Sequence, residues 1–266
     1  MRIVIKIGTS TLTHASGRLN IRRTEALCRT VSDIKNMGHE IILVSSGAIA
    51  MGIGKLSLPC RPADIPTKQA AAAVGQCELM YTYDRLFGEY HHTVAQILLT
   101  GSDFSHEDRH ENFTQTMHRL LELGVLPVIN ENDTIATDEI RVGDNDTLSA
   151  LVAVSVRADL LILLSDIDGL FTADPHKVPT ATLIKNVTAL TPDIRALAGD
   201  SAGHLGTGGM VTKLNAADLC LSGGCDMAIA NGKDPRILYD IVDGDFRGTL
   251  FHADKPSENT GIAKKD

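Results

Sequence analysis

Short, almost continuously apolar segments alternate along the chain with longer segments in which apolar residues return every three or four positions. The short segments are typical of β-strands buried on both faces, and the longer ones of amphipathic helices. We predict strands over residues 2–7, 40–46, 93–100, 125–130, 160–166 and 226–232. We predict helices between residues 20 and 38 and over residues 67–87, 109–123, 146–158 and 213–224. Buried strands joined by helices predict an α/β fold with a mainly parallel sheet covered on both faces.

The sequence indicates both ends of the first predicted helix. Asn20 is of a type that caps helix N-termini, and Gly38 is of a type that ends helices. Between them Leu27, Val31 and Ile34 repeat at helical spacing. One face of this helix should therefore pack on the sheet.

Polar and small residues collect directly after several of the predicted strands. In parallel sheets, ligands bind beyond the carboxyl ends of the strands, near helix N-termini. The segments at that position read GTST, SSGAIAMGIG, ENDTIATDEIRVGDND and SDIDGLFTADP. Glycines, hydroxyl groups, carboxylates and Lys6 gather there, which predicts a site for a phosphorylated ligand at this edge of the sheet.

The glycine cluster GTGGMVTK, residues 206–213, precedes a predicted helix but matches neither common phosphate-loop motif. In a Walker A loop the lysine directly follows the last glycine, whereas Lys213 comes four residues after Gly209. The dinucleotide motif fails because Val211 replaces a glycine. Backbone N–H groups, the helix N-terminus and Lys213 could still bind an anion. An ordinary glycine-rich turn with a surface lysine explains the pattern equally well.

Two further polar positions have competing interpretations. Lys6 lies in an apolar strand and could be an edge-strand lysine that reaches water, but a charge at a buried strand end favours function. Asp144, Asn145 and Asp146 precede a helix. Capping accounts for one of them, so we expect ligand or lysine contacts from the others.

The segment HEDRH, residues 106–110, matches the H-E-x-x-H zinc signature. It is charged on every face and lacks an evident third ligand, so we interpret it as a solvated helix face and predict no protein-held metal site.

Composition narrows the function classes. The 266 residues are 43% hydrophobic and 22% charged, as in an ordinary globular protein. A net charge of −8 and 4% aromatic residues argue against nucleic-acid binding. The five cysteines show no C-x-x-C spacing, which favours reduced thiols and a cytoplasmic location. Lys6 interrupts the apolar N-terminus, so we expect no signal peptide, and no apolar run is long enough for a membrane helix.

Five segments together resemble the amino acid kinase family, and within it the members that phosphorylate glutamate. They are VIKIGTSTLT, ILVSSGAIAMG, PVINENDTIATDEIRVGDND, LLSDIDGLFTADP and GTGGMVTKLNAA. The resemblance runs from residue 2 to about residue 252, and INENDTIATDEIRVGDND is its most specific part.

The resemblance implies a three-layer αβα sandwich of the carbamate-kinase-like kind, around a mainly parallel sheet of roughly eight strands. It implies a single domain over residues 1–252, with residues 1–157 as the glutamate-binding half and 158–252 as the nucleotide-binding half. Residues 253–266 are polar, and we expect a loose tail.

The implied activity is ATP-dependent phosphorylation of the glutamate side-chain carboxylate, the first step of proline biosynthesis. Mg²⁺ is expected as a cofactor held mainly by the nucleotide phosphates. Glutamate and ATP are the implied substrates, and proline is a possible feedback inhibitor. We also expect a homo-oligomer that binds neither nucleic acid nor membranes.

The resemblance assigns roles by matched position. Lys6 and Lys213 would contact the transferring phosphate, and Asp146 would hold both lysines in place. The residues implied in glutamate binding are Ser46, Asp133 and Asn145. The residues implied in ATP binding are Lys6, Ser165, Asp166, Thr207, Gly208, Gly209, Met210, Val211, Thr212 and Lys213.

Some features depart from the family pattern. Many relatives carry Thr-Ser-Gly at residues 45–47 and Thr-Asp at residues 165–166, where this chain has serine first; both changes keep the hydroxyl group. Many also carry a C-terminal domain of RNA-binding type, which we do not expect here. A kinase for N-acetylglutamate or aspartate is the alternative within the family. A non-catalytic relative is the alternative outside enzymes, although it should have lost a lysine or the acids of GDND.

Overall fold

A computed structural model of the chain describes residues 1–14, 16–136, 145–175, 177–198 and 209–254. Within these ranges the strands form a single eight-stranded sheet in the order β3-β4-β2-β1-β5-β7-β8-β6. The strands are β1 (Arg2–Ile7), β2 (Glu40–Ser45), β3 (Val94–Leu99), β4 (Leu126–Glu131), β5 (Leu160–Ser165), β6 (Asn186–Val187), β7 (Asp226–Asn231) and β8 (Gly248–Phe251). Neighbouring strands are parallel except β7 and β8. The predicted strands and the mainly parallel sheet are confirmed, whereas β6 and β8 were not predicted.

Helices connect these strands. They are α1 (Thr9–Leu12), α2 (Ile21–Asn36), α3 (Ala48–Lys55), α4 (Ile65–Gly88), α5 (Glu107–Glu122), α6 (Asn145–Ser155), α7 (Pro192–Ala196), α8 (Met210–Ser222) and α9 (Ile237–Asp243), with a 3₁₀ turn at Gly101–Phe104. The predicted helices are confirmed with small differences at their ends. In α2, Asn20 Oδ1 accepts a hydrogen bond from the Arg23 N–H at 3.2 Å, as the capping prediction requires.

The helices cover both faces of the sheet, because alternate residues of each strand enter different cores. Val4 of β1 packs in a core with residues of α5, α6 and α8. Its neighbours Ile3 and Ile5 pack in a second core with residues of α2, α4 and α9. The predicted three-layer αβα sandwich is therefore confirmed.

Helix α3 was not predicted, because its sequence AIAMGIGK reads as a glycine loop. Glycines in α3 and α4 allow the two helices to pack closely. A Cβ atom added at Gly52 would lie 1.8 Å from the carbonyl oxygen of Ala71, and one added at Gly75 would lie 1.7 Å from that of Ala48. Helices α3 and α4 therefore meet in backbone contact. Gly47, which precedes α3, has φ of 105°, a conformation that suits glycine.

No helix in the described part of the chain is long and apolar enough to cross a membrane. All five cysteines lie in the described ranges and are free thiols.

Candidate active site

The predicted site residues begin to converge because β1, β2, β4 and β5 are parallel and end at one edge of the sheet. Lys6 is the last residue but one of β1, and it pairs in register with Val44 and Leu163. Period-two alternation places Lys6 on the same face as Val4, which is the face covered by α6 and α8. The two helices that carry the other predicted charges therefore lie over Lys6.

Asp146 of α6 joins the two lysines. Its Oδ1 atom lies 2.7 Å from Lys6 Nζ, and its Oδ2 atom lies 3.1 Å from Lys213 Nζ. The exposed fraction of the side chain is 0% for Asp146, 6% for Lys213 and 12% for Lys6. One carboxylate thus holds two ammonium groups, which come from opposite halves of the chain, in a largely buried position.

The pKa of Asp146 reflects this arrangement. Burial by itself would raise the pKa, but the charges of Lys6 and then Lys213 outweigh burial and hold it at about 2. The carboxylate is therefore ionised at neutral pH and remains the counter-ion of both lysines.

Lys213 reaches Asp146 because it lies in the first turn of α8. Gly209 precedes the helix, and Met210 is its first residue. Thr212 Oγ1 lies 3.0 Å from Asp146 Oδ2 and 2.8 Å from the Gly209 carbonyl oxygen, so the first turn of α8 is tied to Asp146 through a hydroxyl group as well as an ammonium group. The predicted ATP-binding residues Thr207 and Gly208 lie outside the described residues.

Asn145, the residue before Asp146, contacts another residue of the predicted glutamate-binding half. Its Nδ2 atom donates to Ser46 Oγ at 2.9 Å, and the Ser46 N–H donates to the Ile7 carbonyl at 2.9 Å. Adjacent residues at the start of α6 therefore contact two different groups: Asn145 contacts Ser46, and Asp146 contacts the lysines. The structure brings Ser46, Asn145, Asp146, Lys6 and Lys213 together.

The remaining predicted residues lie at the same edge in less direct relation to this cluster. Asp133 is half-buried in the turn after β4. Ser165 ends β5, and its Oγ donates to Asp166 Oδ1 at 3.1 Å. Met210 is buried, whereas Val211 is 52% exposed at the start of α8.

Sequence reasoning missed several polar residues beside the site. Asn130, in β4, accepts a hydrogen bond from Asn145 Nδ2 at 3.1 Å. Asn231, at the end of β7, donates to Asp168 Oδ1 at 2.8 Å, and Arg247 Nε lies 2.9 Å from Asp168 Oδ2. An amide side chain at the end of an apolar strand, as in Asn130 and Asn231, is the signal that could have identified two of them.

The histidines of HEDRH have separate partners. His106 Nδ1 lies 2.7 Å from the Ser102 carbonyl oxygen, and His110 Nε2 lies 2.7 Å from Ser155 Oγ. His106 precedes α5 instead of lying within it. This differs from the helical pair of histidines that the zinc signature requires.

The arrangement can stabilise negative charge. Two ammonium groups and the N-terminal end of α8 converge beside a hydroxyl and amide pair, Ser46 and Asn145. Such a cluster suits an anionic group such as phosphate, since preorganised positive charge acts most strongly where water is excluded.

Comparisons with known proteins show which family the chain resembles. Residues 1–231 match the profile of the amino acid kinase family. The chain is 52% identical over 258 residues to a glutamate 5-kinase of Clostridium perfringens, covering 96% of each chain. It is 49% identical over 258 residues to a glutamate 5-kinase of Listeria innocua, covering 96% of this chain and 94% of the relative.

Solved structures with low sequence identity share the fold. A carbamate kinase of Giardia lamblia bound to AMP-PNP matches with a TM-score of 0.67 and 15% identity, covering 95% of this chain and 98% of that one. A UMP kinase of Ureaplasma parvum matches with a TM-score of 0.63 and 14% identity, covering 94% and 98%. From the family profile and the relatives of about half identity, the chain belongs to the amino acid kinase family.

Proposed function

We propose that this protein transfers the γ-phosphoryl group of ATP to the side-chain carboxylate of L-glutamate and forms L-glutamyl 5-phosphate, the first step of proline biosynthesis. The observation that carries the proposal is the single buried carboxylate of Asp146 between Lys6 and Lys213, next to the Asn145–Ser46 pair. Relatives of about half identity over almost the whole chain are named glutamate 5-kinase. The free thiols agree with a cytoplasmic location.

The chemistry fits the residues present. Phosphoryl transfer requires in-line placement and positive charge on the moving oxygens, with little covalent help from the protein. Lys6 and Lys213 supply that charge, and Asp146 keeps them in position. The acceptor is already a carboxylate at neutral pH, so no general base is required.

Magnesium would enter with the nucleotide. Among the residues that the structure describes, no group of three or more His, Cys, Asp or Glu side chains could hold a metal ion. The carboxylate of Asp146 is already engaged by two ammonium groups. The phosphates of ATP are therefore the proposed main ligands of Mg²⁺, which supplies further positive charge to their oxygens when bound.

The two substrates are proposed to bind to different halves of the domain. Ser46, Asp133 and Asn145 of residues 1–157 bind glutamate. Ser165, Asp166 and the start of α8, within residues 158–252, bind ATP together with Lys6. Helices α6 and α8, one from each proposed half, are in contact. The transferring phosphate is proposed to lie where they meet.

The direct test is ATP turnover with and without glutamate, with aspartate and N-acetylglutamate as alternative acceptors. We expect turnover to depend on glutamate and to be weak with either alternative. Equal turnover with aspartate or N-acetylglutamate would overturn the substrate assignment, and absence of ATP turnover with every acceptor would overturn the kinase assignment.

Replacement of Asp133 by alanine should raise the KM for glutamate and leave the KM for ATP unchanged. A carboxylate at this position would pair with the α-ammonium group of the substrate, and a charge-assisted hydrogen bond contributes about 1.5–3 kcal/mol. The expected rise is therefore on the order of tenfold or more. Steady-state kinetics with each substrate varied in turn measures it, and equal changes in both KM values would contradict the role.

Proline should inhibit by competing with glutamate. Proline keeps an α-carboxylate and a cationic α-nitrogen, and it lacks the side-chain carboxylate that would accept phosphate. It could therefore bind to Asp133 and Asn145, the residues proposed to bind glutamate, without accepting phosphate. Initial rates against glutamate at several fixed proline concentrations test whether the inhibition is competitive. A falling Vmax with constant apparent KM would place proline elsewhere, and no inhibition at millimolar proline would remove it as a regulator.

A further inference from the structure

Four side-chain amides form a continuous row that leads away from the site; we call it the amide row, and it consists of Asn145, Asn130, Gln76 and Gln96. Asn145 Nδ2 donates to Asn130 Oδ1 at 3.1 Å, and Asn130 Nδ2 donates to Gln76 Oε1 at 2.9 Å. Gln76 Nε2 then donates to Gln96 Oε1 at 3.2 Å. The row thus runs from α6 through β4 and α4 to β3.

Hydrogen bonds to backbone groups determine which end of the Asn130 and Asn145 amides is the oxygen and which is the nitrogen. The Glu131 N–H donates to Asn130 Oδ1 at 2.9 Å, and Asn145 Nδ2 donates to the Ser45 carbonyl at 3.3 Å. If the amide of Asn130 were reversed, its NH₂ group would face two other donors, the Glu131 N–H and Asn145 Nδ2.

This arrangement of hydrogen bonds leaves the side-chain oxygen of Asn145 available as an acceptor. Its Nδ2 atom is used on Ser46, Ser45 and Asn130, while its Oδ1 atom accepts no hydrogen bond from the described residues. Asn145 Oδ1 is therefore the atom that can accept a hydrogen bond from a ligand. A ligand with an ammonium group matches this need, whereas a ligand that offers only acceptors does not.

Gln76 holds the inner part of the row. Asn130 is only 2% exposed, and Gln76 Oε1 is the sole acceptor for Asn130 Nδ2 within the described part of the chain. The residue before Gln76 is Gly75, at which α4 meets the backbone of α3. Gln76 therefore stands on a helix that cannot shift without separating two closely packed backbones.

We propose that Gln76 is a positioning residue for substrate binding. It holds the amide of Asn130, which in turn holds Asn145 with its Oδ1 atom presented to the α-ammonium group of the amino-acid substrate. The identity of that substrate rests on the proposed function. The positioning of Asn145 by Gln76 rests on the hydrogen bonds of the amide row alone.

Replacement of Gln76 by methionine should raise the KM for glutamate on the order of tenfold, with the KM for ATP and kcat each changing by less than about twofold. Methionine keeps the volume and removes the acceptor, so a buried N–H group of Asn130 loses its partner. A purely structural role for Gln76 would instead change both KM values and kcat together. Steady-state kinetics with each substrate varied separately makes the distinction.

Two companion variants sharpen the test. Gln76→Glu retains side-chain oxygens that accept from Asn130, so its KM for glutamate should stay within about threefold of the parent value. Gln115→Met is the matched control, because Gln115 is exposed on α5 and donates to Glu111 of the same helix. It should leave all kinetic constants unchanged. If Gln76→Glu is as impaired as Gln76→Met, loss of the acceptor is not the cause and the proposal fails.

A second measurement is independent of turnover. Side-chain ¹H–¹⁵N cross-peaks of Asn130 and Asn145, recorded without substrate, should shift in Gln76→Met and remain close to their original positions in Gln115→Met. Unchanged cross-peaks in Gln76→Met, or shifted cross-peaks with an unchanged KM for glutamate, would overturn the proposal. If the parent protein shows no glutamate-dependent turnover, the proposed function fails, and the cross-peaks still decide whether Gln76 positions Asn145.

Discussion

Replacing Lys213 by alanine should lower kcat for glutamate-dependent ATP turnover on the order of 10²-fold or more, and replacing Lys6 by alanine should do the same. Each lysine is proposed to place a charge where the phosphoryl group moves, and each forms an ion pair with Asp146 in the structure. Charge that acts mainly in the transition state lowers kcat when it is removed, far more than it raises the KM for glutamate.

Initial rates at saturating ATP and glutamate measure this effect. Arg119→Ala is a suitable control, because Arg119 is 69% exposed and pairs with Glu122 on the surface of α5. Its loss should leave kcat unchanged. If the Lys6 and Lys213 variants turn over within about threefold of the parent protein, the roles assigned to these lysines are wrong.

Replacing Asp146 by asparagine should lower kcat on the order of 10²-fold and also reduce the free energy of unfolding by about 3 kcal/mol. The amide keeps the shape of the side chain but removes the negative charge between two largely buried ammonium groups. The two positive charges then repel each other and leave their positions. Urea unfolding and steady-state kinetics measure the two effects.

A second substitution tests the cause. In the double variant Asp146→Asn, Lys6→Met, one of the two ammonium groups is absent, so part of the lost stability should return while turnover stays low. If the double variant is no more stable than Asp146→Asn, repulsion between the lysines is not the source of the instability.

The pH dependence of unfolding gives an independent check on Asp146. Its pKa is about 2 in the folded protein and 3.8 ordinarily, because Lys6 and Lys213 favour the ionised form in spite of burial. A lowered pKa stabilises the fold fully above the ordinary value, and this stabilisation is lost as the pH falls through about 2. The parent protein should therefore lose more stability than Asp146→Asn over this range.

The regular part of the fold could be predicted from the sequence because apolar runs and helical spacing report burial directly. The antiparallel strand β8 and the short strand β6 could not, since four and two residues are too few to show a period. Helix α3 was missed for a different reason. Gly52 and Gly75 are required by backbone contact between α3 and α4, and that contact depends on the tertiary structure.

The charged part of the site was also accessible from sequence. Lys6 interrupts an apolar strand, and the match to the amino acid kinase family assigned Asp146 and Lys213. The amide row was not accessible, because Gln76 in an alanine-rich helix looks like a surface residue. Its burial becomes evident only once α4 is placed beside β4, with Gln76 Oε1 2.9 Å from Asn130 Nδ2.

The ion pairs of Asp146 with both lysines have a consequence for conformational entropy. A lysine side chain in water samples many rotamers, and fixing one costs about 2 kcal/mol. In this protein Lys6 and Lys213 lose that freedom when the chain folds, since each already contacts a buried carboxylate. A phosphate that bound to these lysines, as proposed, would meet ammonium groups that are already ordered, so its affinity would not be reduced by the entropy of immobilising them.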